Sequence, residues 1–242
     1  MTPPGPATVP TDTDAAPTVV AHHASRSYVS ASETIHAVRG ASLTLSPGEF
    51  VLLLGASGSG KSTLIGLIAG LDVPDEGSIH VLGHDVGRMT ADERARMRLE
   101  HVGLVFQDHN LIDEFTAVEN VMLPLETLGW GATRSRTGAL QVMDQVGIGD
   151  LAGRLPSQLS GGQRQRVGIA RGLAGKRRVL LADEPTGSLD SDNARVLFAV
   201  LSDLCRGGAT VLAATHDPAA TDFADRILEI RDGRVSERVE VL

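Results

Sequence analysis

The spacing of hydrophobic and polar positions changes period several times along this chain. Phe50 to Leu54 is an unbroken apolar run, which predicts a strand covered on both faces. Beyond it, Leu64, Leu67, Ile68 and Leu71 recur at i, i+3, i+4 and i+7, one face of a helix. Val102 to Phe106, Val179 to Ala182 and Thr210 to Ala214 are further compact apolar strands. Between the last two, Leu197, Val200, Leu201, Leu204 and Cys205 share a helical face. The N-terminal part reads instead as short β segments around polar turns: Val19 to Ala21, Ser25 to Val29, Ala41 to Leu45 and, further on, Ser78 to Leu82. Thr90 to Leu99 reads as a charged helix. Arg226 to Ile230 and Arg234 to Glu237 close the chain as strands around the turn Asp232-Gly233.

Residues 108 to about 158 change character and predict a helical insertion. Thr116-Ala117-Val118-Glu119 fits a capping box, and Val118, Val121, Met122 and Leu125 share one face. Pro124 should kink or end that helix. Ala139, Val142, Met143 and Val146 mark a second helix, stopped by Gly147. Residues 1–17 hold five of the eleven prolines and almost no apolar side chains. They cannot bury enough surface to offset ordering entropy, so a disordered tail is expected. The tail has no basic start followed by an apolar core, so it does not read as a secretory signal, and a cytoplasmic location is expected.

The formal net charge of −8 over 242 residues argues against a nucleic-acid partner held by a general basic field. No apolar stretch approaches the roughly 20 residues needed to span a bilayer, so a membrane role would be peripheral. Cys205, the single cysteine, permits no disulfide within the chain and suits a reducing compartment. Its place on an apolar helical face makes it a core thiol.

The chemistry concentrates in three places. Gly55-Ala56-Ser57-Gly58-Ser59-Gly60-Lys61-Ser62 lies between the first buried strand and the first helix, the context a phosphate-binding loop requires. Backbone N–H groups there form an anion-binding concavity at the positive end of a helix dipole. Lys61 can reach β- and γ-phosphates, and the Ser62 hydroxyl can ligate Mg²⁺. Asp183 and Glu184 follow a buried strand at its C-terminal end, where ligands bind in open α/β sheets. Asp183 is placed to hold Mg²⁺ and Glu184 to orient or deprotonate an attacking water, although an isolated Asp-Glu is as often a surface pair. Leu159-Ser160-Gly161-Gly162-Gln163 opens an arginine-rich helical stretch and repeats the logic of an anion site.

Phosphate loop, Gln107, Leu159 to Gln163, Asp183-Glu184 and His216 stand in the order and spacing of ATP-binding-cassette ATPase subunits. The resemblance covers roughly residues 18 to 240, all but the tail. It implies an α/β fold: the P-loop NTPase nucleotide-binding domain, with a RecA-like core, an antiparallel β subdomain and an α-helical signature subdomain. It implies ATP and Mg²⁺ as cofactors and a head-to-tail homodimer with two ATP molecules at its interface. Gly55 and Ser57, Gly58, Ser59, Gly60, Lys61, Ser62 and Thr63 would bind the phosphates of one ATP. Ser160, Gly161, Gly162 and Gln163 of the other copy would close over them. Gln107 would touch Mg²⁺ or the attacking water, and Ser188-Leu189-Asp190 resembles the loop linking the two sites. His216 resembles the switch histidine at the γ-phosphate, and Tyr28 stands where the family places an aromatic ring on adenine.

Phe106-Gln107-Asp108-His109-Asn110-Leu111, Glu119-Asn120-Val121 and Leu181 to Gly187 resemble one branch of the family. It contains the ATPases of lipoprotein-release systems, macrolide and antimicrobial-peptide exporters and the cell-division cassette. This implies a membrane permease with few spans and a large extracytoplasmic domain, served from the inner face of the membrane. A signalling role of the cell-division type is the alternative. Ser188 and Gly175-Lys176-Arg177-Arg178 depart from the usual pattern of the branch. Phe106, Leu111, Ile112, Phe115 and Val118 are the candidates to line a groove for the permease.

Overall fold

The computed structural model describes residues 16–29, 33–106, 110–175, 177–187 and 189–238. Expectations for residues 1–15 and for Gln107, Asp108, His109, Lys176 and Ser188 fall outside them. At the centre lies β3 (Phe50–Leu54), paired in parallel with β8 (Thr210–Thr215) on one side and β9 (Arg226–Arg231) on the other. Beyond β8 follow β7 (Val179–Asp183) and β6 (Val102–Val105), both parallel. β10 (Arg234–Glu237) adds an antiparallel edge to β9.

Why β3 is apolar at successive positions follows from what covers it. Phe50 and Leu52 face one core, with Leu180, Ala182, Val211 and Ala213 from neighbouring strands. Helices α3 (Ala117–Thr127), α4 (Ala132–Gln145), α5 (Gly161–Leu173) and α6 (Ser191–Arg206) supply the rest of that layer. Val51 and Leu53 face the other core, with Leu181, Leu212 and Ala214. That layer is closed by α1 (Lys61–Ile68), by Met97 of α2 (Ala91–Glu100) and by a second, antiparallel sheet. The second sheet contains β1 (Val19–Val29), β2 (Thr34–Leu45), β4 (Glu76–Val81) and β5 (His84–Asp85), ordered β2-β1-β4-β5. Strand side chains alternate between faces, so two covering layers demand an unbroken apolar run.

The α/β architecture, the capping box Thr116–Glu119 and the closing hairpin agree with the sequence pattern. Asp232 (φ 48°) and Gly233 (φ 77°) supply the two positive φ angles of a type I′ turn. Cys205 is buried, and burial first, then the charge of Asp225, pushes its thiol up to about 12.

Four expectations are corrected. The two segments Val19 to Ala21 and Ser25 to Val29 are one strand, because a bulge at His22-His23, with His23 at φ 47°, joins them. β2 starts at Thr34 rather than Ala41; its outer half is mostly exposed and held by backbone pairing, so apolar periodicity does not mark it. Leu71 is 52% exposed, because α1 ends at Ile68 and the chain turns at Gly70, φ 63°. Pro124 does not end α3, which runs on to Thr127. It removes one ladder donor, and burial of Val121, Pro124 and Leu125 with a Leu128 N–H to Pro124 carbonyl bond of 3.1 Å holds the following turn.

Gly103 on β6 fixes how closely α5 approaches the parallel sheet. A Cβ there would stand 2.1 Å from the Gly172 carbonyl oxygen, inside contact distance of the helix backbone. Gly103→Ala should therefore lower stability by about 1–3 kcal/mol, as overpacking against backbone does. A lower urea midpoint at unchanged slope is the expected result. An unchanged midpoint would show that α5 can move off β6 at no cost.

Candidate functional site

β3 ends at Leu54, and the loop Gly55 to Gly60 turns the chain into α1. Two glycines set its path by close approach. A Cβ on Gly60, which sits at φ 109°, would lie 2.2 Å from the Ala37 carbonyl of β2. One on Gly55 would lie 2.6 Å from the Ile230 carbonyl of β9. The loop is thus pressed between the two sheets. Helices α2, α3, α5 and α6 each begin with a side-chain cap from Thr90, Thr116, Ser160 or Asp190. α1 begins at Gly60 with no side-chain cap. Its first N–H groups and the positive end of its dipole are left for an anion.

Lys61 is 6% exposed and donates from Nζ to the carbonyls of Gly55 (2.7 Å) and Ala56 (3.1 Å). The same ammonium stands 3.2 Å from Glu184 Oε1. Glu184 Oε2 in turn lies 3.0 Å from His216 Nδ1. Glu184 therefore joins two sequence motifs at one carboxylate. Its backbone is at φ 47°, a left-handed conformation rare for a residue with a Cβ. Its N–H nevertheless continues the sheet to the Ala214 carbonyl at 2.8 Å. Such an outlier costs on the order of 1–3 kcal/mol and is a mark of functional sites. His216 leaves the end of β8 where the buried Thr215 hydroxyl accepts the Asp217 N–H at 3.1 Å. This turns the imidazole, 70% exposed, outward over Glu184.

Asp183 ends β7 beside the loop. Burial pushes its carboxyl above the ordinary range; the neighbouring Glu184 adds to this, while a hydrogen bond with Ser62 and the charge of Lys61 oppose it. Its Oδ1 is buried without a hydrogen-bond partner. A buried carboxylate oxygen with no donor, next to a serine hydroxyl, suits a hard divalent cation such as Mg²⁺, which takes oxygen ligands. The donor set at Asp183 and Ser62 fits the ion implied by the sequence.

Tyr28, Ser57, Gly58, Gly60, Lys61, Ser62, Thr63 and Glu184 line one cavity of about 810 Å³. Gly55 and Ser59 line no part of it. The Ser59 hydroxyl is buried without a partner against Gly55, on the side of the loop facing β9. Gln107 lies outside the described residues. Ser160, Gly161, Gly162 and Gln163 are not brought to the cavity either. Ser160 and Gln163 form the capping box of α5, with bonds of 3.3 and 2.9 Å. Asp190 caps α6 by accepting the Asn193 N–H at 2.9 Å; that N–H first, then the Asn193 amide, holds its carboxyl below the usual range. The Cβ position of Gly162 is 3.5 Å from Asn193 Oδ1, so the starts of α5 and α6 adjoin. Of the proposed groove, Val118 is an interior residue of the helical layer, 1% exposed, while Ile112 remains at the surface, 37% exposed.

Sequence reasoning missed the wall of the cavity formed by β2 (Thr34, Ile35, His36, Ala37, Arg39) and by the Asp232-Gly233 turn. It also missed Asn193. The spacing of the β2 residues does not mark them, since they reach the loop only through the packing of the second sheet on the first. The Asp232-Gly233 turn was legible as a turn but not as a wall of the cavity, and Asn193 adjoins Gly162 only through the packing of α6 on α5.

A profile of the ABC transporter family matches residues 38–187. The macrolide export ATP-binding/permease protein MacB 1 of Yersinia pestis bv. Antiqua (strain Antiqua) is 43% identical over 210 residues, 87% of this chain and 32% of that protein. MacB of Sodalis glossinidius (strain morsitans) is 43% identical over 211 residues, again 87% and 32%. The chain thus spans about a third of the length of the curated relatives it matches. Among solved structures, the dimeric bacterial ABC transporter cassette MJ0796 superposes with a TM-score of 0.83 at 38% identity, covering 90% of this chain and 97% of that one. A dimer of the same cassette in a post-hydrolysis state with ADP and Pi gives 0.83 at 35% identity, covering 92% and 100%.

The raised pKa of Asp183 carries a stability consequence. The folded chain holds more protons on this group than the unfolded chain between the unfolded pKa and the higher folded one, so its contribution to stability falls as pH rises through that window. Asp183→Asn removes the charge and should gain melting temperature relative to the parent as pH rises from about 4 to about 8 with chelator present. With Mg²⁺ the parent alone should gain. Melting curves across that range check this; a parent–variant difference independent of pH would contradict it.

Proposed function

The chain belongs to the ABC transporter family, and on that premise we propose that it hydrolyses ATP to drive a membrane permease. The observation that carries this reading is the single cavity shared by the uncapped start of α1, the Lys61–Glu184 pair and Tyr28. Amides of the loop and of the first turn of α1 receive the phosphates, and Lys61 leaves its carbonyl partners for the β- and γ-phosphoryl oxygens. Ser62 and Asp183, with Gln107, would hold Mg²⁺, which would supply neutralisation of the charge on the phosphates. Once Lys61 turns to phosphate, Glu184 is released to orient a water for in-line attack and to accept its proton. His216, already in contact with Glu184, holds that carboxylate in place and reaches the γ-phosphate. Tyr28 offers its ring to adenine.

One chain completes only part of this arrangement. The stretch Ser160 to Gln163 presents a second helix N-terminus away from the cavity, and Asp190 adjoins it through Asn193. Two copies arranged head to tail would bring each such end over the other's phosphates. The dimeric cassette MJ0796 supports this arrangement. The similarity to macrolide export ATP-binding/permease proteins supports export; the permease we propose has few spans and a large outer domain and serves export or force transmission. Among the described residues no helix is long and apolar enough to cross a membrane; the proposed place of this chain, on the inner face beside that permease, rests on the family reading. We propose residues 18–240 as the ATPase unit, with a helical part from about 108 to 158 and the preceding residues as a tail.

Glu184→Gln should keep ATP binding and lower kcat by on the order of 10²- to 10⁴-fold, the scale of a lost general base. It should also migrate as a dimer on gel filtration in ATP and Mg²⁺. Turnover equal to the parent would remove Glu184 from the reaction. The trapped variant should recover a few-span membrane protein with a large outer domain from host membranes. Recovery of a many-span permease would move the chain to another transporter branch, and recovery of soluble partners alone would end the transport reading.

A further inference from the structure

Arg26 and Tyr28 are two residues apart on β1 and so share a face. The Arg26 guanidinium carbon lies 5.0 Å from the Tyr28 ring centroid. Its Nε donates to Asp72 Oδ2 at 2.7 Å and its Nη1 to Asp75 Oδ1 at 2.5 Å. Tyr28 Oη donates to the same Asp72 oxygen at 3.1 Å. Asp75 is itself fixed: its Oδ2 accepts the Ser27 N–H at 2.7 Å, and its own N–H donates to the Ser25 carbonyl at 2.8 Å. The Ser27 N–H, and then Arg26, hold the Asp75 carboxyl below the usual range. Asp72 and Asp75 lie just beyond α1, at the opposite end from its phosphate-facing N-terminus.

We propose that Arg26, clamped between Asp72 and Asp75, is a positioning residue that fixes the Tyr28 ring as a base platform and ties it to the far end of the phosphate-loop helix. The proposal rests on the reading of Tyr28 as the adenine contact. Of the four residues only Tyr28 lines the nucleotide cavity, so the other three act through it. A tyrosine that is 41% exposed would otherwise sample several rotamers, and stacking would have to overcome that freedom. The guanidinium fork suits this role, since its planar geometry engages two carboxylates while its face lies over a ring. The same residues could instead form a surface ion-pair cluster that merely fastens β1 to the following loop. The two readings differ in what they do to a ligand without a base.

The test compares the full chain with Tyr28→Ala, Arg26→Gln, Arg26→Lys and Asp72→Ala, titrating Mg²⁺ with ATP and, separately, with inorganic tripolyphosphate. Arg26→Gln and Asp72→Ala should weaken ATP roughly three- to tenfold, a fraction of what a lost stacking contact costs. They should leave tripolyphosphate affinity unchanged, raise KM and spare kcat. Arg26→Lys should recover part of the loss, because an ammonium can hold one carboxylate but not the fork. Combined with Tyr28→Ala, Arg26→Gln should add nothing further. Equal weakening of ATP and tripolyphosphate would overturn the proposal in favour of a fastening role. Loss on Tyr28→Ala without loss on Arg26→Gln would overturn the clamp and leave the platform standing. Unchanged ATP affinity in Tyr28→Ala would overturn the platform, and the clamp with it. Should Arg26→Gln fold poorly, Asp75→Asn gives the same comparison from the other side of the guanidinium.

Discussion

The contact on which this site depends is the ion pair between Lys61 and Glu184, 3.2 Å apart with side chains 6% and 17% exposed. Charges so withdrawn from water must be paired, because an uncompensated one costs several kcal/mol. Pairing them obliges the end of β7 to lie against the start of α1, and so brings Asp183 beside Ser62. It also explains how Glu184 tolerates a left-handed backbone: its N–H is held in the sheet and its two carboxylate oxygens by Lys61 and His216. Surrounding structure fixes the residue more firmly than its own preference would.

The contrast between helix starts is as informative as the pair itself. Ser160 closes the start of α5 with its own side chain, whereas α1 begins on a glycine pressed against the Ala37 carbonyl. The α5 N-terminus has one of its free N–H groups taken by its own side chain, whereas that of α1 has none so taken. Both are mounted on rigid supports: α1 on the core beneath the antiparallel sheet, α5 on β6 through the glycine contact between 103 and 172. Movement of α5 relative to the sheet would therefore be a movement of whole layers.

Much of this was legible beforehand because it is local. The five apolar residues of β3, the glycine loop and the onset of α1 are contiguous, and so are the Thr116–Glu119 capping box and the Asp232-Gly233 turn. Where local cues misled, packing was the reason. Pro124 sits inside a helix because burial of its neighbours outweighs one missing donor, and Leu71 is exposed because α1 ends a turn earlier than the periodicity suggests.

By itself the chain's order of residues determined which segments are buried strands, where the phosphate loop lies and which side chains carry charge at its edge, since these follow from period and from neighbours in sequence. Only the tertiary structure decided that β2 and the Asp232-Gly233 turn wall the cavity, that Asp183 Oδ1 is buried without a donor, that Glu184 spans Lys61 and His216, and that Arg26 is held between Asp72 and Asp75. These are distances between residues far apart along the chain. Hydrophobic periodicity sets which face of an element is buried, but the register of one layer on another is set by packing, and it is register that brings such side chains within reach.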